Sequence, residues 1–301
     1  MQAQNMPAEQ MIRALGGQWY GASGTARCPA HRDRVPSLSV TNAVGRVLFC
    51  CHAGCSQTEV ITALRRRGLW GRGRLRAAPI GAAKQNHDTK VDEASDRQRT
   101  GMALRIWAET QSAVGTPVET YLRTRGITVS VPDSLSFHPA LRHPSGGVWP
   151  AMVALVTGGT DGEPIGIHRT FLSRDNGGKA PVKPQKTMLG PCRGGAVRLS
   201  PVGTRLMIAE GIETALSAMQ ATGSPTWAAM SAPGLRSLHL PPVVRDIIVL
   251  ADGDAAGEAA AKAAALRWSR AGRLVRIARP PAGVDFNDML MGIKPEGEDD
   301  C

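Results

Sequence analysis

The sequence predicts a multidomain α/β protein whose C-terminal third is a mainly parallel sheet of the Rossmann-like kind. From residue 205 onward, short apolar runs alternate with helical segments, as in parallel strands joined by crossover helices. Near the N-terminus, four of the six cysteines fall within 28 residues, which favours a small metal-bound ribbon over a disulfide framework. Between these regions the periodicity is mixed, which predicts an α+β domain.

Local signals place the elements of the first two regions. Apolar residues at helical spacing predict a short helix at 58–67 and another at 102–114. Thr116-Pro117-Val118-Glu119 has capping-box spacing with proline at the first helical position, so a further helix begins there and stops at Gly126. Asp161-Gly162 between apolar runs at 151–157 and 165–172 predicts a hairpin.

The last third alternates regularly. The predicted elements are strand 205–209, helix 212–221, strand 226–230, strand 246–251, helix 255–270 and strand 274–278. We therefore expect a parallel sheet that is covered by helices on both faces.

Composition suggests where the domains begin and end. Residues 77–100 have few large apolar side chains and mixed charges, so we interpret them as a flexible linker. The predicted organisation is a small metal-binding ribbon at 1–76, the linker at 77–100, a basic α+β domain at 101–202, a mainly parallel α/β domain at 203–291 and a tail at 292–301.

The net charge of +11 over 301 residues is unevenly distributed. The ribbon region carries +8, the linker 0, residues 101–200 carry +5 and the remainder −2. This division is consistent with a basic part that binds a polyanion and an acidic part that contains metal ligands. It is also consistent with a generically basic surface. No apolar run reaches the roughly 18 residues of a membrane span, and no signal pattern opens the chain. We expect a cytoplasmic protein without a membrane partner.

Two cysteine-containing turns have the spacing of a zinc site. Cys28-Pro-Ala-His31 and Cys51-His-Ala-Gly-Cys55 are separated by about a hairpin's length of chain and can close a tetrahedral Cys3His site. Participation of Cys50 or His52 instead is left open by the sequence.

Acidic residues cluster after the predicted strands of the last third. Glu210 follows the first, Asp252 and Asp254 follow the strand at 246–251, and Asp285 follows the last. The ends of parallel strands meet at one edge of a sheet, and carboxylate oxygens there suit Mg²⁺ or Mn²⁺. Nearby Glu213, Glu258 and Asp288 are expected to support the structure, to cap helices or to contact the metal-binding residues without binding metal themselves.

A basic segment precedes the acidic region. Its six Lys and Arg residues lie within 25 positions: Arg169, Arg174, Lys179, Lys183, Lys186 and Arg193. The Gly-Gly-Lys within it lacks the flanking residues of a P-loop, so no ATPase site is predicted.

Two sets of motifs resemble one family. The runs CPAHRDRVPSLSV and GRVLFCCHAGCSQTEVITAL resemble the zinc ribbon of bacterial-type replicative primases, with one extra residue in the second knuckle that is typical of phage, plasmid and mobile-element members. The order AEG, LADGDAAGEAA and VDFND resembles the Toprim domain shared by these primases, topoisomerases and some nucleases; Asn287 stands where the family often has aspartate.

The resemblance implies roles for individual residues. Glu210, Asp252 and Asp254 would act at the catalytic centre, and with Asp285 would hold about two Mg²⁺ or Mn²⁺ ions, while Cys28, His31, Cys51 and Cys55 hold one structural zinc. Arg169 and Lys179 would line the groove for template and nucleotide, with Lys186 or Arg193 as a third basic residue. Arg32 and Arg34 of the ribbon would contact phosphates.

The accompanying features decide which Toprim chemistry is expected. Only two tyrosines are present and no ATPase motif, which disfavours a topoisomerase or an ATPase-linked nuclease. We therefore expect a primase that makes short RNA primers on single-stranded DNA from NTPs, with a separate replicative helicase, encoded by a bacterium, phage or plasmid. The alternatives are a non-catalytic single-stranded-DNA-binding module and a metal-dependent nuclease.

Overall fold

The computed structural model describes residues 7–21, 23–33, 36–43, 46–51, 53, 55, 57–70, 85–175 and 177–293. The chain forms two compact units, Met1–Ala83 and Lys84–Cys301. No helix in the described ranges is both long and apolar enough to cross a membrane.

The N-terminal unit is built on a small antiparallel sheet. Its described elements are helix α1 (Ala8–Ala14), strands β1 (Gln18–Trp19), β2 (Ser23–Ala26), β3 (Leu38–Ala43) and β4 (Arg46–Cys51), and helix α2 (Gln57–Arg66). The strands pair in chain order, and Leu38 lies opposite both Ala26 and Cys51. The segment after β2 and the end of β4 therefore meet at one edge. Apolar side chains of both helices, among them Met11, Ile12 and Leu64, bury the sheet's inner face.

The C-terminal unit begins with an antiparallel half. Its described elements are α3 (Gln85–Ala108), β5 (Gln111–Ser112), α4 (Pro117–Thr124), β6 (Leu135–Arg142), β7 (Val148–Gly158), β8 (Pro164–Phe171), β9 (Lys186–Leu189) and β10 (Gly195–Arg198). The predicted hairpin is confirmed, because β7 and β8 pair antiparallel across a connection of residues 159–163.

The second half of the unit follows the predicted alternation. Its elements are β11 (Arg205–Ala209), α5 (Ile212–Thr222), β12 (Thr226–Ala228), α6 (Ala232–Ser237), β13 (Asp246–Leu250), α7 (Ala255–Arg270), β14 (Leu274–Ala278) and α8 (Phe286–Leu290). Strands β12, β11, β13 and β14 are parallel neighbours in that order, and β12 pairs antiparallel with β10. Both halves thus share one sheet, and the predicted boundary at 202/203 lies within it.

Helices cover both faces of the parallel strands. Side chains of α5 pack with Met207 and Ala209 on one face, and those of α6 and α7 pack with Leu206 and Ile208 on the other. The predicted mixed α/β fold is confirmed, with mainly parallel strands in the last third of the chain.

The segment predicted as a flexible linker is partly helical. Residues 85–100 form the first two thirds of α3, which ends at Ala108 instead of continuing to 114. A polar helix is stable where ion pairs on its surface and contacts at one end support it. Arg99 pairs with Asp96 one turn earlier, Thr100 Oγ1 donates to Ile165 O at 3.1 Å, and Ala103 is buried. Residues 77–84 lie outside the described ranges.

Candidate active site and metal centre

Three carboxylates lie at the carboxyl edge of the parallel strands. Glu210 directly follows β11, and Asp252 and Asp254 follow β13. The two strands are parallel neighbours with Ala209 opposite Leu250, so they end at the same level. The structure therefore brings together residues that are more than 40 positions apart, as the alternating pattern predicted.

Electrostatics show that these acids are close enough to repel one another. Burial, and then the negative charges of Asp252 and Asp254, raise the pKa of Glu210. Burial, followed by Asp254 and Asp285, raises the pKa of Asp252. A bound cation would relieve this repulsion, and a set of hard oxygen donors is the kind that Mg²⁺ or Mn²⁺ prefers.

Two of the acidic residues also cap helices. Asp254 accepts a hydrogen bond from Gly257 N at 2.6 Å at the start of α7. Asp285 accepts from the backbone of Asn287 (2.7 Å) and Asp288 (2.8 Å), and the Asp288 side chain accepts from Asp285 N at 2.9 Å. These bonds fix the orientation of both carboxylates, and they confirm the structural role expected for Asp288.

Glycine is needed where α7 passes Asp252. A Cβ at Gly257 would lie 2.9 Å from the Asp252 Cβ, so a larger residue would displace that carboxylate.

Asn287 is turned into the protein instead of toward the acids. It is 1% exposed, and its Nδ2 donates to Arg125 O at 2.6 Å and to Ser217 Oγ at 3.0 Å. The amide fits this role because it can donate hydrogen bonds, which an ionised aspartate cannot do.

The basic segment contributes two lysines to a buried glutamate. Lys186 Nζ lies 2.9 Å from Glu213 Oε2, and Lys179 Nζ lies 3.5 Å from Glu213 Oε1. Tyr121 donates its hydroxyl hydrogen to Glu213 Oε1 at 2.6 Å. Although burial opposes ionisation of Glu213, the two lysines and this hydrogen bond hold its pKa well below the ordinary value.

The sequence predicted only a supporting role for Glu213, as a structural or capping residue or as a neighbour of the metal-binding residues. Its position in the first turn of α5 is that of an ordinary dipole-stabilising acid. Its partners are 27 to 92 residues away in the chain, so no local signal indicates the cluster.

Arg169 and Arg193 do not join this cluster. Arg169 pairs in register with Thr187, whereas Thr170 pairs with Lys186, so Arg169 projects from the opposite face of the sheet to Lys186. It is 9% exposed and its Nε has no hydrogen-bond partner. Arg193 is exposed in the turn before β10.

His168 takes the place beside the lysines that the sequence suggested for Arg169. It lies on the same face of β8 as Thr170, is 5% exposed, and has no hydrogen-bond partner at Nδ1. Burial and then the charge of Lys186 lower the pKa of His168 to about 4, so the ring is neutral at physiological pH.

The N-terminal unit brings the four predicted zinc ligands together. One ligand atom each of Cys28, His31, Cys51 and Cys55 lies within 4.8 Å of all the others, the one such group among the described residues. His31 Nδ1 is 3.2 Å from Cys55 Sγ and 3.9 Å from Cys51 Sγ. Tetrahedral zinc at about 2.3 Å from sulfur separates its ligands by about 3.8 Å, so the group fits one zinc ion.

Neighbouring polar groups hold the first knuckle in place. Asp33 Oδ2 accepts from Cys28 N at 2.6 Å and from Ser37 Oγ at 2.6 Å. Its other oxygen lies 3.7 Å from His31 Nε2, on the side of the ring away from the cysteines. A carboxylate in this position orients a metal-binding imidazole.

The electrostatic surroundings of the cysteine thiols also favour binding of a cation. Burial, with Cys51 and Cys55 nearby, raises the pKa of Cys28 to about 12. A divalent ion would stabilise the Cys28 thiolate, which these surroundings otherwise disfavour.

The structure settles part of the ambiguity within the second knuckle. Cys50 is exposed and lies outside the ligand group, while Cys51 is buried and belongs to it. His52 and the predicted phosphate contact Arg34 lie outside the described residues, and Arg32 is exposed beside the first knuckle.

Comparison with known families identifies a domain in the segment that contains the strand-end acids. The family described as the Toprim domain matches residues 205–294. The chain carries a Toprim domain. A domain of unknown function, DUF7146, matches residues 97–199, which include the basic segment. No match to a curated protein was found.

Solved primase structures are similar to this chain at low identity. The DnaG primase catalytic domain bound to ssDNA is 18% identical, with 67% of this chain and 80% of that chain covered and a TM-score of 0.45. The Aquifex aeolicus primase, with its zinc-binding and RNA polymerase domains, is 17% identical, with 96% and 83% covered and a TM-score of 0.40. The primase fragment of the bacteriophage T7 primase-helicase protein is 20% identical, with 48% and 64% covered and a TM-score of 0.34.

The repulsion among the Toprim carboxylates predicts a stability effect. Asp252→Asn should raise the melting temperature of the metal-free protein by about 2–4 °C, because it removes a half-buried charge beside other acids. The same variant should lose most of the stabilisation that Mg²⁺ gives the wild type, since a ligand is gone. Thermal unfolding with EDTA and with 10 mM Mg²⁺ measures both effects.

Glu258→Gln is the matched control for this comparison. Glu258 lies in the first turn of α7 and pairs with Arg279 and Lys262 instead of other acids. Its substitution should leave the response to Mg²⁺ unchanged. An Asp252→Asn variant that is less stable without metal and still responds fully to Mg²⁺ would contradict the assignment.

Proposed function

We propose that this protein is a DNA primase that synthesises short RNA primers on a single-stranded DNA template. The observation that carries the proposal is the convergence, within one sheet, of the Toprim acids Glu210, Asp252 and Asp254 with the amino groups of Lys179 and Lys186. Carboxylates that bind divalent ions, placed beside fixed positive charges, suit a reaction at phosphate. The zinc-ligand group supports a second contact with the template, which the N-terminal unit would make.

In the proposed reaction, the 3'-hydroxyl oxygen of one nucleotide loses its proton to solvent water and forms a bond to the α-phosphorus of the next triphosphate. The bond from that phosphorus to the bridging oxygen breaks, and pyrophosphate leaves. Glu210, Asp252, Asp254 and Asp285 would hold divalent ions, which would supply positive charge to offset the negative charge that develops at the reacting phosphate. Lys179 and Lys186 would donate hydrogen bonds to phosphate oxygens and fix the triphosphate against the acidic edge.

The N-terminal unit would hold the template. The two knuckles would be fixed by zinc bound to Cys28, His31, Cys51 and Cys55. Arg32 and Arg34 would contact template phosphates. We propose a separate helicase as the source of single-stranded DNA, and a bacterial, phage or plasmid origin and a cytoplasmic setting for this reaction.

A primer-synthesis assay tests the proposal. The full chain is incubated with single-stranded DNA, labelled NTPs and Mg²⁺ or Mn²⁺, and the products are resolved by length. Labelled oligomers that require the template support the primase. A shortened template without oligomers would instead indicate a nuclease, and DNA binding without either product would indicate a binding module.

A further inference from the structure

The cluster around Glu213 joins three separate elements at one buried carboxylate. Tyr121 comes from α4, Lys179 from the loop before β9, and Lys186 from the start of β9. Glu213 is 6% exposed and Tyr121 is 2% exposed. The carboxylate is therefore the buried centre that the other side chains share.

The charges of the cluster do not cancel. Two ammonium groups face one carboxylate, which leaves one positive charge in excess. The Lys179 and Lys186 side chains are 29% and 36% exposed, whereas that of Glu213 is 8% exposed. Each ammonium group has three N–H donors and uses one on Glu213, so further donors remain for a ligand on the open side.

The cluster lies beside the metal-binding acids. The charges of Lys186 and Glu213 both act on the pKa of Asp252. Glu213 lies in the first turn of α5, three residues after Glu210, which precedes the N-cap Gly211 of that helix. The residue that contacts both lysines and the first Toprim acid therefore lie on either side of the start of α5.

We infer that Glu213 is a positioning residue, which holds Lys179 and Lys186 at the spacing that receives the triphosphate of an incoming nucleotide beside Asp252. The inference rests on the proposed function and extends it to the nucleotide's phosphates. Tyr121 takes part by orienting the carboxylate. Without the Glu213 charge, two partly buried ammonium groups would repel each other and at least one would leave this position.

A double-mutant cycle separates positioning from simple support of the fold. Lys186→Met should raise the Kd for a fluorescent ATP analogue in the presence of Ca²⁺ about tenfold, as expected for a lost charge-assisted contact. Glu213→Gln should raise it by a similar factor. The double variant should be no weaker than either single variant, because both changes remove the same contact.

Two further variants keep the test decisive. Tyr121→Phe retains the buried ring and should weaken binding about threefold in the wild type, but not in the Lys186→Met background. Asp246→Asn is the matched control, because Asp246 accepts from Arg205 and Arg276, each at 2.7 Å, at the opposite end of β13 from Asp252. It should leave nucleotide binding unchanged.

The results distinguish this inference from the proposed function. Binding needs no primer synthesis, so a non-additive cycle in a protein that makes no primers would preserve the inference and overturn the polymerase proposal. If primers are made, the KM for NTP should rise more than kcat falls in Glu213→Gln. A purely structural Glu213 would lower the melting temperature and leave Kd within twofold, or give factors that multiply in the double variant. Either result, or an absence of nucleotide binding by the wild type, would overturn the inference.

Discussion

Replacing both Asp252 and Asp254 by alanine is expected to reduce primer synthesis on the order of 1,000-fold or more, while binding of single-stranded DNA is retained. The two carboxylates follow β13 at the edge where Glu210 also lies, and they would hold the ions that offset charge at the reacting phosphate. Removing comparable electrostatic stabilisation costs about 100- to 1,000-fold for a single donor. The initial rate of oligomer formation and a filter-binding measurement give the two quantities.

The loss must be separated from damage to α7. Asp254 accepts from Gly257 N as the N-cap, so alanine there removes about 1 kcal/mol of helix stability. An Asp252→Asn/Asp254→Ser variant retains a capping hydroxyl and removes both charges. This variant should be as inactive as the double alanine. Activity that recovers with the serine cap would show that the acids support the helix and not the reaction.

Cys28→Ser is expected to abolish stoichiometric zinc binding and to destabilise the N-terminal unit selectively. The unit has a small core of its own, and a structural zinc site contributes directly to folding free energy. Loss of a ligand should lower the unfolding temperature of this unit by more than about 10 °C, whereas the C-terminal unit retains separate cores. Metal analysis of the purified protein and two-transition thermal unfolding measure these effects.

Cys50→Ser is the control for the zinc prediction. Cys50 neighbours Cys51 in β4 but is exposed and outside the ligand group, so its substitution should retain one zinc per chain. An unchanged zinc content in Cys28→Ser would contradict the assigned site. Loss of zinc in Cys50→Ser would instead assign the second knuckle differently.

Local patterns predicted the parallel half of the fold well. The strands at 205–209 and 274–278 and the helix at 255–270 have the predicted bounds, because each combines a clear apolar period with a turn or cap at its ends. The Cys3His group could be predicted equally well, since its ligands form two closely spaced pairs in the sequence. The start of α3 could not be predicted from the sequence, because a polar helix and a polar linker have similar compositions. Only the contacts near residue 100 distinguish them.

The basic side of the candidate site depended on tertiary structure. Lys179 and Lys186 were recognisable as basic residues of one segment, but their convergence on Glu213 involves a helix 27 residues later in the chain. The opposite orientations of His168 and Arg169 follow from the register of β8 with β9, which the sequence does not specify. A one-residue shift in register reverses the direction of every side chain on a strand. The pattern of basic residues therefore could not show whether His168 or Arg169 faces Lys186.

Homopolymer templates distinguish template-directed synthesis from polymerisation that ignores the template. The full chain with Mn²⁺ is given a synthetic oligo(dT) or oligo(dC) template and a single labelled NTP. We expect oligo(A) with oligo(dT) and oligo(G) with oligo(dC), no product for mismatched pairs, and none from the Asp252→Asn/Asp254→Ser variant. Products whose composition is independent of the template, or their absence with every template while DNA is bound, would contradict template-directed synthesis.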